Sequence, residues 1–313
     1  MDFRTVLETQ TYVLLDGAMG TQLDERGFPA GGQNNLVAPE AVWAIHRAYA
    51  QCGCHALITN TLTMNRIYIE THNLDVEVQA VNRAGAELAR QATEGHQAVL
   101  GNLSPTGQLL EPYGTYQESE LGDAFREQAE ALTEGGVDGF IIETMFDLRE
   151  ALCALRACRE VASLPVMVSM AFTTADKGGR TMMEDSAGEC AERLTDAGAD
   201  VVGANCGDLD PTEMAAVVSL LRSATSLPVL AEPNAGKPEW VNGLTCFNMA
   251  PAPFAAGIVQ CMDAGARVVG GCCGTTPRHI RAVASALEQR GAKPERQGSG
   301  AGGQEAEPRK SEG

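Results

Sequence analysis

"VVGGCCGTT" (268–276) is the stretch on which the reading of this chain turns. Two β-branched residues lead into two glycines, two adjacent cysteines and a third glycine, so an apolar strand ends abruptly in a small, reactive loop. The same pattern, "VVGANCG", stands at 201–207. Six further short apolar runs recur, five of them ending in polar or glycine residues: "YVLLDG" (12–17), "ALITNT" (56–61), "AVLGNLS" (98–104), "GFIIET" (139–144) and "VLAEPN" (229–234), with "VMVSMA" (166–171) as the sixth. Starts are spaced by about 27 to 44 residues, the scale of one βα unit with its loops.

The stretches between these runs have helical character. "ELGDAFREQAEALTEGG" (120–136) places Leu121, Phe125, Ala129 and Leu132 on one face and ends in glycine, as a helix C-terminus often does. "SAGECAERLTDAGAD" (186–200) and "PTEMAAVVSLLRSATSLP" (211–228) follow the same rule. Eight strand–helix units in about 290 residues predict a single (β/α)8 TIM barrel, α/β in class, over residues 1–290. A doubly wound sheet is the runner-up, but no G-x-G-x-x-G follows the first strand to favour it. From Gly291 onward the chain has no periodicity and almost no large apolar residue, so 291–313 is predicted to be a disordered tail.

With 41 acidic and 23 basic residues the net charge is -18, which repels nucleic acid and anionic lipid. Neither a nucleic-acid nor a membrane partner is expected. No segment reaches the roughly 18 uncharged apolar residues that span a bilayer, and "MDFRTVLETQ" lacks the apolar core of a signal peptide. The expected location is cytoplasmic. In that reducing compartment ten cysteines are not a disulfide framework: a few bind metal and the rest pack as small apolar groups.

In a barrel of this type the active site forms where strands end and βα loops begin. The residues there are Asp16, Asn60, Asn102, Glu143, Asn205 with Cys206, Glu232 with Asn234, and Cys272 with Cys273. Strands six and eight are not adjacent, yet both send cysteines to the same mouth. Three protein ligands with a fourth position open is the pattern of a catalytic zinc. No histidine lies in these loops, and His279, a turn or two down the following helix, is expected in a surface or core role. The cysteines at 52, 54, 153, 158, 190, 246 and 261 read as packing; Cys52 and Cys54 precede strand two, on the opposite side of the barrel. A competing reading makes "GGCCGTTP" a phosphate-binding loop of a lyase or aldolase. Paired thiols do nothing for phosphate, and a Schiff-base version has only Lys237 near the rim. Three thiolates leave Zn2+ with a net charge of about -1, which suits activation of a thiol for alkyl transfer to sulfur.

Seven motifs in order, "LLDGAMGTQL" (14–23), "ITNTLTMNR" (58–66), "GNLSPTGQLLEPYG" (101–114), "IIETMFDLREA" (141–151), "GANCG" (203–207), "AEPNAGKP" (231–238) and "GGCCGTTPRHI" (270–280), resemble the homocysteine S-methyltransferase family. The likeness runs from about residue 10 to 290 and is strongest to the homocysteine-binding domain of cobalamin-dependent methionine synthase. The resemblance implies a (β/α)8 barrel with zinc held by Cys206, Cys272 and Cys273, homocysteine sulfur as fourth ligand, and methionine as product. Asn234 is suggested to cap the open metal position before substrate arrives. On this view the N–H groups of Gly17, Ala18 and Met19 hold the substrate carboxylate and Asp16 and Glu143 take its ammonium, with Ser104, Asn60 and Asn205 as further polar contacts. The implied methyl donor is a methyl-corrinoid, either methylcobalamin or one carried by a separate corrinoid protein or cobalamin-binding module in trans. S-methylmethionine, betaine, and a non-catalytic zinc scaffold for a corrinoid protein are the alternatives.

Overall fold

The computed structural model describes residues 3–241 and 244–291; the tail expected beyond the last helix lies outside them. Eight strands, β1 (Val13–Leu14), β2 (Ala56–Ile58), β3 (Ala98–Leu103), β4 (Gly139–Met145), β5 (Val166–Met170), β6 (Val201–Asn205), β7 (Val229–Glu232) and β8 (Ala266–Val269), form one sheet in the order β1-β8-β7-β6-β5-β4-β3-β2. Every neighbouring pair is parallel. This is the (β/α)8 barrel expected from the sequence.

Alternation along each strand divides the core in two. Leu14, Leu57, Val99, Phe140, Val168 and Val202 face outward and are buried under the helices. Val13, Leu15, Leu100, Ile141, Met167, Val201, Leu230 and Val268 face inward and fill the barrel. The N-terminal end is plugged by a helix the sequence reading did not foresee, Phe3–Thr9, whose Phe3, Val6 and Leu7 join the inner cluster. The Arg267 guanidinium donates to the Leu7 and Gln10 carbonyls, satisfying acceptors that a helix C-terminus otherwise leaves open. That is why β8 begins at Ala266 rather than at the expected Val268: the charge that interrupts the apolar run is spent on the plug.

No ladder joins β1 to β2, and the barrel is closed there by three isolated bonds. The His55 N–H donates to the Leu14 carbonyl at 2.7 Å, the Leu14 N–H donates to His55 Nδ1 at 2.9 Å, and the Ile58 N–H donates to Asp16 Oδ2 at 3.1 Å. At the opposite, C-terminal end two unforeseen hairpins decorate the mouth, one after β5 (Phe172–Thr174 with Arg180–Thr181) and one after β7 (Glu239–Val241 with Leu244–Cys246). Among the described residues no helix is long and apolar enough to cross a membrane.

Because Phe3 is fully buried in the plug, Phe3→Ala is expected to cost about 3–5 kcal/mol, the usual range for a large-to-small core change. A urea melt checks this through a lower midpoint at unchanged slope.

Candidate functional site

At the C-terminal ends of the strands the inward positions turn from apolar to polar. Two residues beyond Leu100, Ile141, Met167, Gly203 and Leu230 come Asn102, Glu143, Ser169, Asn205 and Glu232, all buried, and Asp16 beyond β1 completes this floor. Small residues make the room. A Cβ on Gly270 would lie 2.7 Å from Glu232 Oε1, and one on Gly203 would lie 2.4 Å from the Leu230 Cβ.

The three thiols stand at this mouth. Cys206 directly follows β6 with φ of 54° and precedes Gly207 at 66°; a Cβ on Gly207 would sit 2.2 Å from the Phe172 carbonyl oxygen. A cysteine held in the left-handed region is a strained conformation of the kind that gathers at functional sites. It aims the sulfur across β7 toward the loop after β8. Cys206 Sγ lies 4.0 Å from Cys273 Sγ, and the sulfurs of Cys206, Cys272 and Cys273 are all within 4.8 Å of one another. Sulfurs sharing a tetrahedral zinc at bond lengths of about 2.3 Å are about 3.8 Å apart, so the cluster fits such an ion. Asn234 adds an oxygen donor: its Nδ2 donates to the Gly207 carbonyl at 2.9 Å, while its buried Oδ1 has no protein partner. The Cys206 thiol is drawn down to about 3 because Cys272 and Cys273 donate to its sulfur, and Cys273 is correspondingly pushed up to about 12.

Asn205 organises the acids around the thiols. Its Nδ2 donates to Glu143 Oε2 at 3.1 Å and to Thr144 Oγ1 at 2.8 Å, and its Oδ1 accepts from Ser169 Oγ at 2.7 Å and from the Thr144 N–H at 2.8 Å. It also approaches Cys272 Sγ at 3.8 Å. Thr144, β-branched at φ of 62°, accepts backbone strain to make that contact. Asn102 Nδ2 donates to Glu143 Oε1 at 2.5 Å. Burial, reinforced by the Cys206 charge, raises Glu143 to about 7. Burial likewise lifts Asp16 well above the carboxylate range, against the bond from Ile58; its Oδ1 has no protein partner.

Of the three amides proposed for a carboxylate, that of Ala18 donates to Thr275 Oγ1 at 2.9 Å, which leaves those of Gly17 and Met19 available. Thr275 Oγ1 in turn donates to the Cys272 carbonyl at 2.7 Å, and the Tyr49 hydroxyl donates to the Ala18 carbonyl at 2.9 Å. Thr275 and Tyr49 therefore tie the loop after β1 to the thiol loop. Sequence reasoning missed both, although Thr275 lies inside the motif that drew attention. Asn60 and Ser104 serve the loops. Asn60 Nδ2 donates to Asn35 Oδ1 at 3.1 Å, and Ser104 Oγ accepts from the Thr63 N–H at 2.7 Å.

The competing readings meet specific obstacles. In the glycine-rich loop the N–H groups of Gly270, Gly271, Cys272, Gly274 and Thr275 already donate to Ala231, Asp16, Pro233, Thr21 and Cys272, so few remain for a phosphate. Lys237 is exposed and pairs with Glu213 at 2.6 Å, which raises its ammonium pKa, the wrong direction for a Schiff-base nucleophile. His279 is a core residue: Nδ1 accepts from the Thr276 N–H at 3.1 Å and Nε2 donates to the Met249 carbonyl at 2.9 Å. Of the seven other cysteines six are buried, and Cys246 is half-buried on the hairpin after β7.

A model of the family described as homocysteine S-methyltransferase matches residues 13–287. The chain belongs to the homocysteine S-methyltransferase family. It is similar to methionine synthase of Mycobacterium tuberculosis (strain ATCC 25618 / H37Rv), with 30% identity over an alignment 312 residues long that covers 92% of this chain and 26% of that protein. The chain thus spans about a quarter of that relative's length. Among solved structures it resembles the metallated form of the homocysteine methyltransferase MmuM from Escherichia coli, with a TM-score of 0.76 at 23% identity, covering 91% of this chain and 99% of that one. The carboxyl transferase domain of Rhizobium etli pyruvate carboxylase is a more distant likeness, with a TM-score of 0.52 at 15% identity over 91% of this chain and 48% of that one. These structural likenesses carry the barrel fold.

Replacing a rim sulfur removes a ligand but little core packing. If the cluster holds a metal ion, Cys206→Ala, Cys272→Ala and Cys273→Ala are each expected to bind far less of it than wild type while keeping the wild-type circular dichroism spectrum, as metal analysis of the purified variants would show.

Proposed function

We propose that this barrel binds homocysteine through its sulfur at a zinc held by Cys206, Cys272 and Cys273 and methylates it from a methyl-corrinoid, producing methionine. The convergence of three sulfurs from two non-adjacent strands, beside an open mouth, carries this reading. When bound, the zinc keeps the substrate thiol ionised at neutral pH, where a free thiol with a pKa near 8.5 is mostly protonated. Asn234 offers its Oδ1 to the same centre. Asp16 and Glu143 hold the substrate ammonium, and the amides of Gly17 and Met19 receive its carboxylate. Asn205 and Asn102 fix the Glu143 carboxylate from both sides. The substrate sulfur forms the S–CH3 bond as the methyl group leaves its carrier, whose bonding electron pair stays behind.

The face around the mouth supports a large carrier. Phe28, Val37, Leu62, Tyr113, Met182 and Trp240, all exposed, lie in the connections that follow β1, β2, β3, β5 and β7. Exposed apolar side chains on several connections at one end of the barrel suit contact with a corrinoid protein or cobalamin-binding module in trans. S-methylmethionine or betaine would leave them unused. The catalytic unit is residues 1–290, and ten free cysteines suit the reducing cytoplasm.

The test is zinc analysis together with the loss of methylcobalamin absorbance with and without homocysteine. One zinc per chain and homocysteine-dependent demethylation are expected. Zinc without demethylation would transfer the donor role to S-methylmethionine or betaine, or leave a scaffold, and no zinc after reducing purification would overturn the reading. Asp16→Asn is expected to raise the homocysteine KM by roughly 10- to 150-fold, the range for losing a hydrogen bond to a charged group. Steady-state kinetics checks it.

A further inference from the structure

The protein's own hydrogen bonds leave a specific set of atoms unused on the floor of the mouth. Asp16 Oδ1, Asn102 Oδ1 and both carboxylate oxygens of Glu232 are buried and have no hydrogen-bond partner among the described residues. All four are acceptors. An array of buried acceptors with no matching donor calls for a ligand that brings several N–H groups and no lone pair, and an alkylammonium is such a group, with three donors and no acceptor.

Glu232 stands out within this set. It is 2% exposed, ends β7 beside Asn205 in register, and shares the inward side of its strand with Leu230 of the inner core. The missing side chain of Gly270 accommodates its Oε1, and the same space borders the Asp16 carbonyl and the Leu15 Cβ. Glu143, by contrast, already has one oxygen on Asn102 and the other on Asn205. Asp16 has one oxygen on Ile58. Glu232 alone offers an entire carboxylate.

We propose that Glu232 is a substrate-binding residue that receives the ammonium group of the amino-acid thiol together with Asp16, and that it sets the preference of the site for thiols bearing an amino group. This deepens the proposed function and rests on it. The two oxygens of Glu232 and Oδ1 of Asp16 supply acceptors to the ammonium, and the Glu143 carboxylate, its oxygens already bonded to Asn102 and Asn205, holds the same group through its charge.

The experiment compares wild type, Glu232→Gln and Glu232→Met, each loaded with cobalt(II) in place of zinc. Thiolate-to-cobalt absorption reports entry of sulfur without methyl transfer. Each protein is titrated with homocysteine and with 4-mercaptobutanoate, the same thiol acid lacking the amino group. Wild type is expected to prefer homocysteine. Both variants should weaken homocysteine by about tenfold or more, the difference between a charge-assisted and a neutral hydrogen bond, and leave 4-mercaptobutanoate unchanged or tighter. The thermal midpoint without thiol should not fall in Glu232→Gln, since the change removes an unpartnered buried acid; Glu232→Met keeps the side-chain length if that variant folds poorly. Equal weakening of both thiols, or no weakening of either, would overturn the role of Glu232 and leave the proposed function standing, with water filling the cradle. A wild-type protein that takes up neither thiol would instead overturn the proposed function, and this inference with it.

Discussion

Burial of negative charge and unpartnered acceptors at one end of the barrel is the constraint that the rest of the structure serves. Each buried acceptor without a partner costs about 1–3 kcal/mol. The four on the floor of the mouth therefore need donors brought by water or by a ligand. The inner cluster of large aliphatic side chains and the Phe3–Thr9 plug stand at the other end. The barrel is a gradient, oily and sealed below, polar and underpaired above.

The polar end is held by backbone as much as by side chains. Thr144 and Cys206 both take left-handed conformations at the ends of their strands, and Asn205 bonds the backbone and hydroxyl of the first while preceding the second. One amide side chain thereby couples the acid of β4 to a thiol of β6 and approaches one of β8. Such strain is tolerated only where the surroundings over-determine it, and the packing of Phe172 against Gly207 supplies part of that determination.

The sequence made some of this legible for clear physical reasons. Parallel strands buried on both faces read as continuous apolar runs, so all eight were visible, and the polar residues that end every run but the fifth pointed to the mouth; Ser169, inside the fifth run, did not stand out. Cys206, Cys272 and Cys273 were legible because chain order and barrel order coincide after β2. The plug helix was not, since seven residues with three apolar positions carry little periodic signal. Thr275 and Tyr49 escaped because their partners are remote in the chain, and Thr275 reaches Ala18 across 257 residues. Glu232 was visible as a rim residue. Its lack of any partner is a property of three dimensions that no spacing expresses.

The seam between β1 and β2 adds a last consequence. Where a ladder would close the barrel, one of the three stitches is the Asp16 carboxylate, through the oxygen it does not offer to the mouth. The seam is held there by isolated bonds rather than by a ladder, and the other oxygen of the Asp16 carboxylate is left for whatever enters the pocket. A cation settling there and the Ile58 amide share one carboxylate. By linkage, any change that one makes in the other's bond is returned to the same degree. The mouth and the barrel wall are then one thermodynamic element.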